Sequence, residues 1–178
     1  MGAYRAGDLR AFDILYGRHR SGLYRFLLRQ CGAPALAEEL FQDVWMNLIQ
    51  ARKRYVADAR FATYLYRIAH NRLMDHFRRA VHRRSVQTGT EEIDPVELLP
   101  ADSSDQPEVR FCTQVQIEKF SELLANLPPA QREAFVMHQE AGLGIDAIAA
   151  ATGVNAETAK SRLRYAIAKL RRGLMEFL

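Results

Sequence analysis

Apolar residues return every three or four positions along most of this chain and hardly ever alternate, a spacing that predicts helices throughout. The clearest case is Leu36 to about Arg52. There Leu36, Leu40, Val44 and Leu48 recur one turn apart, and Ala37, Phe41 and Trp45 widen the stripe. Before it, residues 8–30 read as a pair of amphipathic helices. Phe12, Leu15 and Tyr16 mark the first, and Leu23, Tyr24, Phe26, Leu27 and Leu28 mark the second, after Ser21 and Gly22. Gly32, Ala33 and Pro34 close this segment, because proline suits a helix start and not its interior. A further helix is predicted from Phe61 to about Arg79, with Phe61, Leu65, Ile68, Ala69, Arg72 and His76 on one side and Arg67, Asn71, Asp75 and Arg78 on another. Periodicity then lapses until about Cys112, resumes to Leu127, and restarts after Pro128 and Pro129 as a helix from Ala130 to about Ala141.

The last third of the chain carries the most specific local pattern. Ile145, Ile148 and Ala149 set a short apolar face, and Thr152, Gly153 and Val154 interrupt it at a glycine able to take a positive φ. Asn155 stands where an N-cap belongs, and Glu157 falls in the first turn, where the helix dipole favours an acid. A long helix is predicted from about Ala156 to Phe177. At 100° per residue from Lys160, Leu163, Ala166, Ile167, Leu170, Leu174 and Phe177 fall between roughly 240° and 340°, one apolar stripe. Lys160, Ser161, Arg164, Arg171 and Arg172 fall between roughly 0° and 120°. A short helix, a glycine turn and a second helix with a basic face make a helix-turn-helix, whose second helix suits a major groove.

Net charge sharpens this picture because it is segregated. The total is only +4. Residues 1–84 hold sixteen basic side chains against seven acidic, residues 85–126 two against nine, and residues 127–178 seven against five. The middle stretch also carries Gly89, Pro95, Pro100 and Pro107 among Glu91, Glu92, Asp94, Glu97, Asp102, Asp105 and Glu108. Such a segment buries little apolar surface and reads as a solvated tether. The expected architecture is all-α. Two small helical domains, residues 1–84 and 112–178, flank a flexible acidic linker over residues 85–111. A basic block, an acidic tether and a basic-faced helix suit a nucleic-acid partner.

The remaining chemistry excludes more than it adds. No apolar run is long enough to cross a membrane, and Met1–Arg10 lacks the apolar stretch of a signal peptide. Cys31 and Cys112 stand apart, which suits free thiols in a reducing cytoplasm. His70, His76 and His82 repeat every six residues, a spacing that scatters them around a helix, so neither a metal nor another cofactor is expected. No nucleophile motif or phosphate loop supports an enzyme. Two surfaces remain. The arc of the Leu36–Arg52 helix opposite its apolar stripe carries Glu39, Gln42, Asp43, Asn47 and Gln50 around Met46, which suits a basic protein surface or plain solvent. The segment from Phe61 to Arg79 sets Phe61, Tyr64, Tyr66 and Phe77 among Arg67, Arg72, Arg78 and Arg79, a mixture able to stack unpaired bases and neutralise phosphate, although at least half of these aromatics belong to a core.

With these residues in view, the chain resembles the sigma-70 family, specifically the extracytoplasmic-function (ECF) sigma factors, over nearly its whole length. Ala37 to Trp45 is similar to the region 2.2 helix, Phe61 to Arg79 to regions 2.3 and 2.4, and Leu127 to Phe135 together with Ala159 to Ala166 to region 4. The resemblance implies a transcription initiation factor with no catalytic activity of its own. Glu39, Gln42, Asp43, Met46 and Asn47 would dock on core RNA polymerase (its β and β′ subunits). Arg67, His70, Asn71, Arg78 and Arg79 would engage the −10 element of promoter DNA, with flipped bases read in a pocket. Glu157, Thr158, Lys160, Ser161, Arg162 and Arg164 would enter the −35 major groove. It implies an anti-sigma partner, and no regulatory domain is expected after Leu178. Two positions depart from the family pattern. Tyr64 stands where tryptophan is frequent, and Gly142, Leu143 and Gly144 put two glycines before the helix-turn-helix, which is expected to loosen its first helix. The competing assignment is a dimeric repressor or activator that would bind a palindrome unaided.

Overall fold

The computed structural model describes residues 1–57, 59–86 and 107–177, and among them every regular element is helical. Helices α1 (Gly2–Ala6), α2 (Arg10–Cys31), α3 (Pro34–Gln50) and α4 (Phe61–Val86) form the N-terminal half, with a short 3-10 turn over Arg52–Arg54. Helices α5 (Pro107–Ala125), α6 (Pro129–Ala141), α7 (Ile145–Thr152) and α8 (Ala156–Met175) form the C-terminal half. The all-α class therefore holds. Helix α4 runs to Val86 and α5 begins at Pro107, so most of the stretch read as an acidic linker lies outside the described residues.

Local chemistry sets the junction between α2 and α3. Helix α2 stops at Gly32, and Pro34 opens α3 at its first position, where the missing N–H is not needed. The expected helix pair over residues 8–30 is in fact one continuous helix. Gly22, read as a break, lies inside it, where glycine costs about 1 kcal/mol relative to alanine. Its place is set from outside the helix. A Cβ there would stand 2.9 Å from the carbonyl oxygen of Glu140 in α6 and 3.2 Å from the Tyr66 hydroxyl in α4. Bare backbone at this point lets three helices meet.

The core of the N-terminal half is the buried stripe of α3 (Ala37, Leu40, Val44, Trp45, Leu48) packed on Leu23, Phe26 and Leu27 of α2 and Leu65, Ala69 and Leu73 of α4. An aromatic chain extends it outward from Trp45 through Phe12 to Tyr4. Tyr4 is buried under the Arg52 guanidinium, 4.7 Å from its ring centre, while Arg5 donates to the Tyr55 carbonyl at 2.8 Å. These contacts tie the first residues to the segment that follows α3. In the C-terminal half, α8 buries Ala159, Leu163, Ala166 and Leu170 against α6 and α7, and its Gly173 lets Leu123 of α5 approach closely.

The two halves are not separate bodies. Helix α6 packs along α2, α7 packs on α4, and the buried side chains of both halves form one continuous cluster. The charge pattern and the expectation of a linker gave no sign of this seam.

Candidate nucleic-acid and partner interfaces

The helix-turn-helix forms as its local sequence requires. Gly153 takes φ 69° at the end of α7, a left-handed conformation that glycine adopts without a Cβ clash. Two residues later the Asn155 side chain accepts from the Thr158 amide at 2.7 Å and caps α8. Of the two glycines before α7, only Gly142 needs its freedom (φ 61°), whereas Gly144 is extended and caps α7 with backbone alone. His138 bonds the Leu143 carbonyl at 2.9 Å across this turn, and Ile148 and Ala149 of α7 are buried, so the first helix is held on both sides.

Burial of one stripe turns the other side of α8 outward. Glu157, Lys160 and Arg164 are exposed on it, while Ser161 and Arg162 are half-buried at its flanks. Thr158 contributes its backbone to the cap and only part of its side chain to the surface. Lys160 lies 3.6 Å from Glu157, and the Arg164 guanidinium rests 5.1 Å from the ring centre of Tyr165, itself half exposed. Tyr165 was not singled out from sequence. Its place beside an arginine on the open face gives that face a planar platform as well as charge.

Helix α4 is divided. Arg67, Asn71, Arg78 and Arg79 are exposed, and Arg67 sits 5.8 Å over the ring of Tyr64. Burial pushes the Tyr64 phenol above its usual range, with the nearby Arg67 opposing the shift. Tyr66, named from sequence as a candidate for stacking bases, is instead wholly buried and meets Phe26 edge to face. Its phenol is pushed up strongly by burial, and the neighbouring Glu140 carboxylate adds to the shift. His70 is also turned away from the open face. Its Nδ1 lies 2.7 Å from Glu133 of α6, with only 16% of the imidazole side chain and 7% of the carboxylate side chain exposed.

On α3, Glu39, Gln42, Asp43 and Met46 form an open surface, and Met46 is 52% exposed beside Ile49. Asn47 behaves differently. Its amide donates to the Asp43 carbonyl and accepts from Arg72 of α4, both at 2.7 Å. Asn47 therefore joins α3 to α4 rather than standing free. The signal for this bridge lay in Arg72, a cation on the apolar side of α4. Among the described residues no group of three or more His, Cys, Asp or Glu side chains could hold a metal, and no helix is long and apolar enough to cross a membrane.

Comparison with known proteins then fixes the family. The profile of sigma-70 region 2 matches residues 15–83, and that of sigma-70 region 4 matches residues 117–170. The RNA polymerase sigma factor CarQ of Myxococcus xanthus is 31% identical over 99% of this chain and 96% of its own length. The chain belongs to the sigma-70 family, as an ECF-type sigma factor. The ECF RNA polymerase sigma factor SigM of Mycobacterium tuberculosis is also 31% identical, over 97% of this chain and 81% of its own. Among solved structures, RpoE of Bartonella quintana in complex with the anti-sigma factor NepR superposes with a TM-score of 0.79 at 22% identity, covering 94% of this chain and 98% of that one. CnrH in complex with the cytosolic domain of CnrY gives 0.68 at 21% identity, covering 98% and 94%. These two likenesses establish the fold. The sigma factor is thus an alternative, promoter-directing subunit of transcription initiation, and none of these relatives is a stand-alone repressor.

Proposed function

We propose that this sigma factor docks on core RNA polymerase through the open face of α3, chiefly Glu39, Gln42, Asp43 and Met46, with Asn47 holding that face in register with α4. Helix α8 enters the −35 major groove with Glu157, Lys160 and Arg164, while Thr158, Ser161 and Arg162 flank them. Arg67, Asn71, Arg78 and Arg79 of α4 take the −10 strand, joined by His70 once it is free of Glu133. The protein supplies recognition and no bond-making chemistry of its own. It works in the cytoplasm, where polymerase and promoter are. An anti-sigma partner, like the NepR that holds RpoE, would cover these same faces.

The observation that carries this reading is the exposed start of α8. A capped helix N-terminus follows a left-handed glycine turn and bears an acid, a lysine and an arginine on one outward side. Arginine and lysine are the side chains that pair with guanine edges and phosphates in a major groove. Run-off transcription from a genomic promoter library, with core polymerase and with or without this protein, tests it. New transcripts that depend on the protein and share spaced −35 and −10 elements are expected. A footprint on duplex DNA by the protein alone, with no new transcript, would overturn the reading in favour of a stand-alone regulator.

A further inference from the structure

We propose that Tyr165 is a specificity-determining residue of α8, whose ring reads the 5-methyl group of a −35 thymine within one base pair of the guanine taken by Arg164. The inference rests on the −35 role given to α8 above, and adds to it a base preference and the side chain that sets it.

Three observations carry it. The first is direction. At 100° per residue from Lys160, the buried stripe of α8 is centred near roughly 290°, and Tyr165 falls at roughly 140°. It therefore points within about 30° of straight away from the core, in line with Ser161 one turn earlier. The second is the kind of surface it adds. Beside the charged or polar Glu157, Lys160, Ser161 and Arg164, its ring brings a large apolar surface, and it is 51% exposed. The third is its pairing with Arg164. The guanidinium lies over the ring, 5.1 Å from its centre, whereas the neighbour of Lys160 is a carboxylate, Glu157, at 3.6 Å. A ring face steadies a guanidinium without occupying its N–H fork, so Arg164 keeps its donors for a base.

The two groups have different complements in a major groove. Guanine offers O6 and N7 to an arginine fork, and thymine offers its 5-methyl group to an apolar contact. Successive helix residues rise only about 1.5 Å, and stacked base pairs are about 3.4 Å apart. Side chains this close in sequence and space meet base pairs no more than one step apart.

Holoenzyme assembled from core polymerase and the full chain tests this, transcribing promoters randomised across the −35 element. The parent protein should enrich a thymine within one base pair of a guanine. Arg164→Ala should lose the guanine preference, and Tyr165→Ala the thymine preference. Tyr165→Phe should keep both, because the ring and not the hydroxyl meets the methyl group. On the enriched promoter, deoxyuridine in place of that thymine removes the methyl group alone. It should weaken binding by about fourfold for the parent protein and leave Tyr165→Ala unaffected. An equal uracil penalty in both proteins, or a thymine preference that survives Tyr165→Ala, would overturn the role of Tyr165 while leaving that of Arg164 standing. Loss of the preference in Tyr165→Phe would overturn the methyl contact. Unchanged base preferences in every variant, Arg164→Ala included, would overturn the groove reading of α8 and this inference with it.

Discussion

Helices α4 and α8 are both long, both basic on one side and both built on a buried apolar stripe, yet they meet the rest of the molecule differently. In α8 the separation is complete. Its small and branched residues (Ala159, Leu163, Ala166, Leu170) pack inward, and its N-terminal charges face open space. In α4 two clients share the surface. Leu65, Ala69 and Leu73 serve the N-terminal core, while Tyr66 and His70 are claimed from the other side by α2 and α6. A helix buried on one side can be assigned its functional face from periodicity alone. A helix gripped from two sides cannot, because the second partner comes from distant sequence.

That contrast can be attacked in order of expected effect. Phe26 is wholly buried where α2 meets Tyr66 of α4, and Phe26→Ala should cost about 3–5 kcal/mol in thermal or denaturant unfolding. Because both halves share one core, the loss should appear as a single cooperative transition. Two separate transitions would mean that α4 is no more doubly held than α8.

Arg164→Ala tests the open helix. It should weaken binding to a −35 duplex by about 1–3 kcal/mol and relax base discrimination, while Arg67→Ala leaves that duplex affinity unchanged. If Arg67→Ala weakened it equally, the two helices would not divide the promoter as proposed.

Tyr66 tests the gripped one through pH. Its folded phenol titrates well above the usual tyrosine range, because burial disfavours the charged form. Above about pH 10 the unfolded phenol releases its proton and the folded one keeps it, so the unfolded state binds fewer protons and stability falls with pH, by about 1.4 kcal/mol per unit for this group. Tyr66→Phe should remove that part of the alkaline loss, measured as Tm against pH. An identical slope in the variant would show that Tyr66 is not sealed under α6.

Smaller effects come from the helix ends and the surface. Asn155→Ala removes the cap of α8 and should cost about 1 kcal/mol in stability, with a matching loss of −35 affinity if the cap orders the first turn. Arg25→Ala removes a half-exposed partner of Glu140 and should change stability by no more than about 0.5 kcal/mol. A larger loss would mean that the seam depends on this single ion pair rather than on the fit at Gly22.

How much was legible in the sequence follows the same division. The helices of α3 and α8, the turn at Gly153 and the cap at Asn155 could all be read locally. Each is set by residues within a turn or two of one another: a stripe at helical spacing, a glycine where φ is positive, a side-chain oxygen placed to accept an amide. The outward residues of α8 followed by subtraction, since a single buried stripe leaves only one other side. Family resemblance added the names of the faces, and the profile matches and relatives bear out the family itself.

What only the tertiary structure decided is everything that joins distant segments. Gly22 looked like a break because glycine within a helix is ordinarily a loss of stability, and only the Glu140 carbonyl and the Tyr66 hydroxyl beside it show why the loss is accepted. Asn47 looked like a docking residue until Arg72 reached it, and His70 looked outward until Glu133 met it. Local sequence sets which residues can share a face, because helical geometry is fixed. It does not set which partner covers that face, because that choice depends on contacts between residues dozens of positions apart, which appear only when the chain closes on itself.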